Sequence, residues 1–530
     1  MLDVLISGGE VYDGLGGGPA RTDIGIAGDR VVQIGPLGDQ EASVVIDATG
    51  KAVCPGFINI LSHSYLSILH DPRSLGELTQ GVTTEIFGEG ISMGPLTPRM
   101  KAELQDGSGP LAVDVCWDRL SEYLHHVEQR GTAQNVASFI GAGTIRVNVV
   151  GYQDRPATRE ELDRMRGLVA EEMADGALGI GSALIYPPGS YAPADELVAL
   201  CEAAAAYQGC YASHVRNEGA ALPAAIEEFL AICRRAGLPG EVFHLKAAGR
   251  ANWDLMDRAI GLLEDARAAG APVGADVYPY TASSTGLTSI IPERYHDGGR
   301  DALYARLADP EVRREIRRDL AAGRLSDVTD AENILVLAVR TEQNRKYQGK
   351  TLAAVARERG TDAIDAAMDL IASDRSKIGV AFFSMAEENL RAALRRPWAG
   401  VSSDGTSMAP EGVFLLSPTH PRSYGSFARV LGHYVRDERV LTLSDAVHRM
   451  SGLPAAKLGL AGRGVLQPGC FADVAVFDPA TIADRATFAE PHRLSTGVTE
   501  VLVNGQVTIA DGEFTGRLAG RALAGPGAHR

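Results

Sequence analysis

The chain has no CxxC pair and only six cysteines in 530 residues. That excludes a disulfide framework. Cys54, Cys116, Cys201, Cys210, Cys233 and Cys470 are then expected to be buried reduced thiols. No apolar run approaches the length needed to cross a bilayer, so no membrane span is expected. Basic excess is also missing. The net charge of −16 argues against nucleic acid as a partner, because phosphate binding needs a basic face. The first residues, Met1-Leu2-Asp3-Val4-Leu5-Ile6-Ser7-Gly8-Gly9, place an acid and a turn where a signal peptide has a basic start and a longer apolar stretch. They read as a first strand and make the cytoplasm the expected location. There is no internal repeat.

What is present is ordinary for a water-soluble globular protein: 45% hydrophobic and 22% charged residues, with length enough for more than one structural unit. Residues 1–54 alternate in a β manner between Gly-rich turns, as in Val4-Leu5-Ile6-Ser7, Val31-Val32-Gln33-Ile34 and Ser43-Val44-Val45-Ile46-Asp47. Residues 461–530 repeat that style at Ala472-Asp473-Val474-Ala475-Val476-Phe477 and Val498-Thr499-Glu500-Val501-Leu502-Val503. Neither piece makes a stable sheet alone, so the two ends are expected to meet in one small β-sandwich. The tail after 516 is Gly- and Ala-rich and is expected to fray.

Residues 55–460 change pattern. Short apolar runs alternate with amphipathic helical stretches, which predicts an α/β unit of the (β/α)8 TIM-like barrel type. Candidate strands are 53–60, 81–87, 136–141, 177–185, 208–214, 240–245, 272–278, 334–339 and 398–403. Candidate helices include 159–174, 194–207, 220–236 and 255–269. A barrel takes eight strands, so one of the nine is accessory. Residues about 288–330, rich in Arg, Asp and Ala, read as a helical insertion, either a solvated excursion or a lid.

Barrel enzymes carry their reacting groups at the C-terminal ends of the strands. His214 ends Cys210-Tyr211-Ala212-Ser213, His244 ends Glu241-Val242-Phe243, and Asp404 ends Gly400-Val401-Ser402-Ser403. A single histidine is more often a packed residue than a ligand; three metal-competent groups at three strand ends point to a site. A catalytic zinc takes N, S or O donors and keeps a position open. Two imidazoles need a further donor, for which Glu89, His63 and Asp404 are the candidates. Glu89 also reads as an ordinary loop acid, and His63 as a hydrogen-bond donor that binds no metal. Asp404 suits a proton shuttle between water and a leaving nitrogen. Arg422 offers paired donors to a carboxylate. With Lys246, Tyr278, Tyr280, Ser283 and Ser284 it forms a candidate anchor for an anionic, amide-containing substrate.

A set of motifs in order along nearly the whole chain resembles the N-acyl-D-amino-acid deacylases (D-aminoacylases) of the amidohydrolase superfamily. They include Val53-Cys54-Pro55-Gly56-Phe57-Ile58, Gln80-Gly81-Val82-Thr83-Thr84, Ser213-His214-Val215-Arg216-Asn217-Glu218, His244-Leu245-Lys246, Tyr278-Pro279-Tyr280, Ser403-Asp404-Gly405, His420-Pro421-Arg422 and Pro468-Gly469-Cys470-Phe471-Ala472-Asp473. The resemblance implies a (β/α)8 barrel with a small β-sandwich and zinc-dependent hydrolysis of an acyl amide. It also implies zinc ligation by His214 and His244 and acid/base work by Asp404. Lys246, Tyr278 or Tyr280, Ser283 or Ser284, and Arg422 would then grip the substrate carboxylate. Three positions depart from the family pattern. Leu61 stands where a His-x-His pair would begin, leaving His63. Ala142 stands where a histidine is common. Phe87-Gly88-Glu89-Gly90-Ile91 lacks the usual cysteine, which Glu89 can replace as a harder donor. All three fall near the metal, so one zinc ion is expected rather than two.

The reading is a one-zinc hydrolase of an N-acyl-D-amino acid or a related carboxylate-bearing amide, with a small-molecule substrate. Copy number stays open, a homo-oligomer included. The rivals are a cyclic-amide hydrolase of the hydantoinase or dihydroorotase kind, and a metal-free barrel acting as a binding protein.

Overall fold

A computed structural model of the chain describes residues 1–38, 40–107, 109–320 and 330–528. The protein is α/β. Both ends of the chain contribute to one nine-stranded sheet, in which Ala52–Pro55 pairs antiparallel with Val474–Phe477 and parallel with Leu2–Val11. Val4, Ile6, Ile24, Ile26, Val31, Val53, Val474, Val476 and Leu502 form a buried cluster of their own on this sheet. Alternation in the sequence is what gathers these branched residues on one face.

Between the ends lie two parallel sheets. One has three strands, Phe57–Asn59, Val82–Phe87 and Asn135–Ser138. The other runs Ile140–Gly141, Gly179–Ala183, Cys210–His214, Gly240–Val242, Val273–Val277 and Ala399–Val401 in chain order. Only Phe139 separates Asn135–Ser138 from Ile140–Gly141. At the other edge Ser62 and Gly405 make a parallel bridge, with Asp404 N donating to Leu61 O at 3.0 Å and His63 N to Gly405 O at 2.8 Å. Apart from the half-buried Ala183, these strands are buried along their whole length, as apolar parallel strands covered on both faces must be. Helices Arg159–Ala174, Ala194–Ala205, Leu222–Ala236 and Leu255–Ala268 cover them, each within two residues of its expected bounds.

The strand expected at 334–339 pairs differently. Ile334–Ala338 joins Ser283–Gly286 and Gly379–Phe382 in a separate antiparallel sheet, so this is the accessory strand. Helices Arg300–Ala308, Pro310–Asp319, Leu352–Arg359 and Ala363–Asp374 share a second buried cluster with it. Residues 321–329 of the expected insertion lie outside the described residues. Two further expectations need correction. Cys116 is exposed and Cys470 half-buried, while the other four free cysteines are buried. The described part of the tail, 517–528, is held in place: Val136 N donates to Arg521 O at 2.9 Å and Leu523 N to Val136 O at 2.8 Å. Gly520 lets it lie this close, since a β-carbon there would fall 1.9 Å from Gln134 O. Among the described residues, no helix is long and apolar enough to cross a membrane.

Candidate active site

Each polar station stands at or just beyond the carboxyl end of a parallel strand, where ligands collect in such sheets. His63 follows Phe57–Asn59, Glu89 follows Val82–Phe87, His214 ends Cys210–His214, His244 follows Gly240–Val242, Tyr278 follows Val273–Val277 and Asp404 follows Ala399–Val401. Local chemistry aims them. Glu89 rides between Gly88 and Gly90, both at positive φ, and a β-carbon on Gly88 would stand 2.3 Å from Phe139 O. His244 (φ 39°) and Asp404 (φ 47°) are themselves in left-handed backbone, a strained state that neighbours must hold. Asp276 Oδ1 accepts from His244 N at 3.1 Å. Asn59 Oδ1 accepts from Ser403 N at 3.0 Å, and Asn59 Nδ2 donates to Ser403 Oγ at 2.6 Å, next to Asp404.

The side chains converge on Glu89. Its Oε1 is 2.9 Å from both His214 Nδ1 and His244 Nε2, and its Oε2 is 3.1 Å from His63 Nε2. His63 Nε2 also lies 3.0 Å from Asp404 Oδ1, while Arg422 Nη1 donates to Asp404 Oδ2 at 2.6 Å. Two triads therefore share one carboxylate, Glu89–His214–His244 and His63–Glu89–Asp404, with donor atoms within 4.8 Å of one another in each. The imidazole and carboxylate donors suit zinc. A third acid–histidine group, Glu387–His433–Glu438, lies elsewhere; Arg391 pairs with both of its carboxylates, which leaves little charge for a cation.

The electrostatics match a site built for positive charge. Burial opposes ionisation of Glu89, but hydrogen bonds from His214, His244 and His63 hold its carboxyl well below the usual range. Burial likewise opposes Asp404, and Arg422 and His244 keep it low. Burial pulls His63 toward its neutral form, yet Asp404 and Glu89 outweigh it and lift the pKa to about 9. Burial and Lys246 pull His244 the same way; Asp404, Glu218 and Glu89 carry it up to about 10. Protons on the imidazoles thus neutralise carboxylates that a bound cation would otherwise neutralise.

The substrate-anchor candidates divide. Arg422 lies 4.9 Å over the Tyr278 ring and donates to Ser284 O at 3.2 Å. Ser283 and Ser284 begin the strand Ser283–Gly286 of the antiparallel sheet. Lys246 stands 2.7 Å from His244 Nδ1 and pairs with Glu218. Tyr280 is otherwise engaged: its hydroxyl donates to Asp484 Oδ2 at 3.4 Å and Arg429 covers its ring. The Leu61 side chain is buried in an apolar cluster with Ile58, Ile60, Ile86 and Phe139 and offers no donor. Two residues were not singled out from sequence. Tyr186 packs edge-on to His214 at 5.2 Å. Glu218, four residues past His214, faces both histidines; an acid at that spacing just beyond a ligand-bearing strand end was the available signal.

Strand ends that converge on an imidazole–carboxylate cluster define a metal-dependent hydrolase of the amidohydrolase class. The chain belongs to the amidohydrolase family, whose model matches residues 44–509. It is 35% identical over 527 residues to a D-aminoacylase of Alcaligenes xylosoxydans xylosoxydans, covering 99% of this chain and 98% of that protein. Among solved structures it is similar to the N-acyl-D-glutamate deacylase of Bordetella bronchiseptica complexed with zinc and a phosphonate mimic of the tetrahedral intermediate. There the identity is 33%, 99% of each chain is covered and the TM-score is 0.82. A D-aminoacylase structure described by its binuclear metal centre, with one-metal activation and second-metal attenuation, matches at 33% identity and TM-score 0.82, covering 99% of this chain and 100% of that one.

Proposed function

We propose that this protein hydrolyses the acyl amide of N-acyl-D-amino acids, using one tightly held zinc ion. The observation that carries the reading is the cluster itself: Glu89 Oε1 meets His214 Nδ1 and His244 Nε2, and Asp404 stands across His63 from it. In this reading those three donors hold the ion. His63 and Asp404 make a poorer second half-site, because Leu61 contributes no donor. When bound, zinc lowers the pKa of its water to about 7 and polarises the amide carbonyl. Asp404 Oδ1 takes a proton from water and returns it to the leaving nitrogen, while Oδ2 stays on Arg422. Arg422, over the Tyr278 ring, meets the substrate carboxylate, with Lys246, Ser283 and Ser284 completing the grip. Tyr280 supports Asp484 and Arg429 instead.

The same reading counts Asn135–Ser138 and Ile140–Gly141 as one strand and takes the resulting eight parallel strands as one closed (β/α)8 barrel at 55–460, supported by the Ser62–Gly405 bridge. It takes residues 1–54 with 461–530 as a β-sandwich domain, supported by their shared sheet and separate apolar cluster. Six unpaired cysteines favour a reducing, cytoplasmic location.

Purified, zinc-loaded protein is expected to release the amino acid from N-acetyl-D-amino acids and to carry one zinc per chain. Activity on hydantoins with none on these amides, or no hydrolysis after zinc is restored, overturns the reading. Arg422→Ala is expected to raise KM for carboxylate-bearing substrates on the order of 10- to 100-fold, the worth of a charge-assisted hydrogen bond of about 1.5–3 kcal/mol. Steady-state kinetics on a neutral amide check it: equal weakening there removes the assigned role.

A further inference from the structure

With the metal-centre reading as its premise, a second carboxylate acquires a role. His214 and His244 direct Nδ1 and Nε2 at Glu89. Their other ring nitrogens, His214 Nε2 and His244 Nδ1, both face Glu218 Oε1, at 3.4 and 3.2 Å. His214 Nε2 is buried and makes no hydrogen bond, with Glu218 Oε1 the carboxylate oxygen that faces it. Glu218 is itself nearly enclosed, its side chain 12% exposed, and its backbone is fixed by Ala248 N donating to Glu218 O at 2.7 Å. We infer that Glu218 is a positioning residue that sets the tautomers of both metal-facing histidines.

The argument is one of proton placement. An imidazole binds a metal through an unprotonated nitrogen, so its proton must sit on the other one. In this assignment Glu218 Oε1, at 3.4 and 3.2 Å, is the oxygen placed to accept from His214 Nε2–H, which frees Nδ1, and from His244 Nδ1–H, which frees Nε2. Lys246 opposes the second arrangement. Its Nζ lies 2.7 Å from His244 Nδ1, and an ammonium can only donate. Left alone with His244, Lys246 would donate to Nδ1 and drive the ring proton onto Nε2, the nitrogen facing Glu89. Glu218 prevents this by accepting from Lys246 and by offering the acceptor that Nδ1–H needs. A single oxygen thus governs both rings and the lysine between them.

The test is zinc affinity, measured by chelator competition on purified full-length protein, with thermal melts of the zinc-free form as a check on folding. Glu218→Gln keeps shape and removes the charge; it is expected to lower zinc affinity roughly 10- to 100-fold. Removing the competing ammonium as well, in Glu218→Gln/Lys246→Gln, is expected to restore part of that loss, which a merely structural role would not do. The double variant also removes both charges of the buried pair, so it serves if the single variant does not fold; its affinity should still fall short of wild type. A folded single variant with wild-type affinity overturns the assignment, as does a double variant indistinguishable from wild type. Wild-type protein that takes up no zinc overturns the metal-centre reading instead, which separates the two failures.

Discussion

Asp404→Asn is expected to leave zinc bound and to lower turnover by about 10²- to 10⁴-fold, the usual worth of a placed general acid–base. The substitution is clean for three reasons. Asn tolerates left-handed backbone better than other non-glycine residues, so φ 47° at this position is kept. The amide retains an oxygen for Arg422, so the guanidinium is not left without a partner. Asp404 is also outside the triad around Glu89 Oε1, so the donors that hold the ion are untouched. What is lost is the ability to accept a proton. Zinc content by elemental analysis and kcat on an N-acetyl-D-amino acid decide the matter together. Comparable turnover with zinc in place means that another group moves the proton.

The fold was legible where local pattern and long-range pairing agree. Buried parallel strands read as apolar runs, and the helices between them showed their faces: of Leu222, Ile226, Phe229, Leu230 and Cys233, which the spacing puts on one side of Leu222–Ala236, all but the partly buried Leu230 are buried. Ile334–Ala338 has the same apolar run but pairs antiparallel with Gly379–Phe382. Nothing local distinguishes it, because pairing direction depends on what lies beside a strand. The tail misled for a related reason. Gly- and Ala-rich composition suggests fraying, yet those small residues are what let the backbone lie against Gln134 and Val136.

The site was legible at its strand ends and less so in its loops. His214, His244 and Asp404 were marked by position, since a polar residue that closes an apolar strand faces the ligand end of the sheet. Glu89 stood out less, as a loop acid between glycines. Its reach depends on positive φ at Gly88 and Gly90, which brings the carboxylate across to the next strands. Glu218 was passed over because its partners are ring nitrogens whose orientation no sequence states. Tyr280 illustrates the converse: it is two residues from Tyr278, but its hydroxyl belongs to Asp484, 204 residues away.

Glu89→Ala is expected to leave the chain folded and nearly free of zinc. Changes to residues that merely orient a ligand cost roughly 10- to 100-fold in metal affinity; removing a direct donor should exceed that. The remaining donors make the loss hard to compensate. His214 and His244 alone give two nitrogens, short of the three protein ligands of a catalytic zinc. Leu61 cannot help, since its side chain packs in an apolar cluster. His63 stands against Glu89 Oε2 and Asp404 rather than against the other imidazoles. Glu89 is moreover the one residue common to both triads, so its removal opens both at once. The folded state should survive, because the residue sits in a loop between glycines and the substitution adds no bulk. Chelator competition and elemental analysis check the outcome, with a thermal melt to confirm folding. A Glu89→Ala protein that still holds one zinc at wild-type affinity would put the ion elsewhere, and the pairing of His214 with His244 around this carboxylate would then be a hydrogen-bond network and not a metal centre.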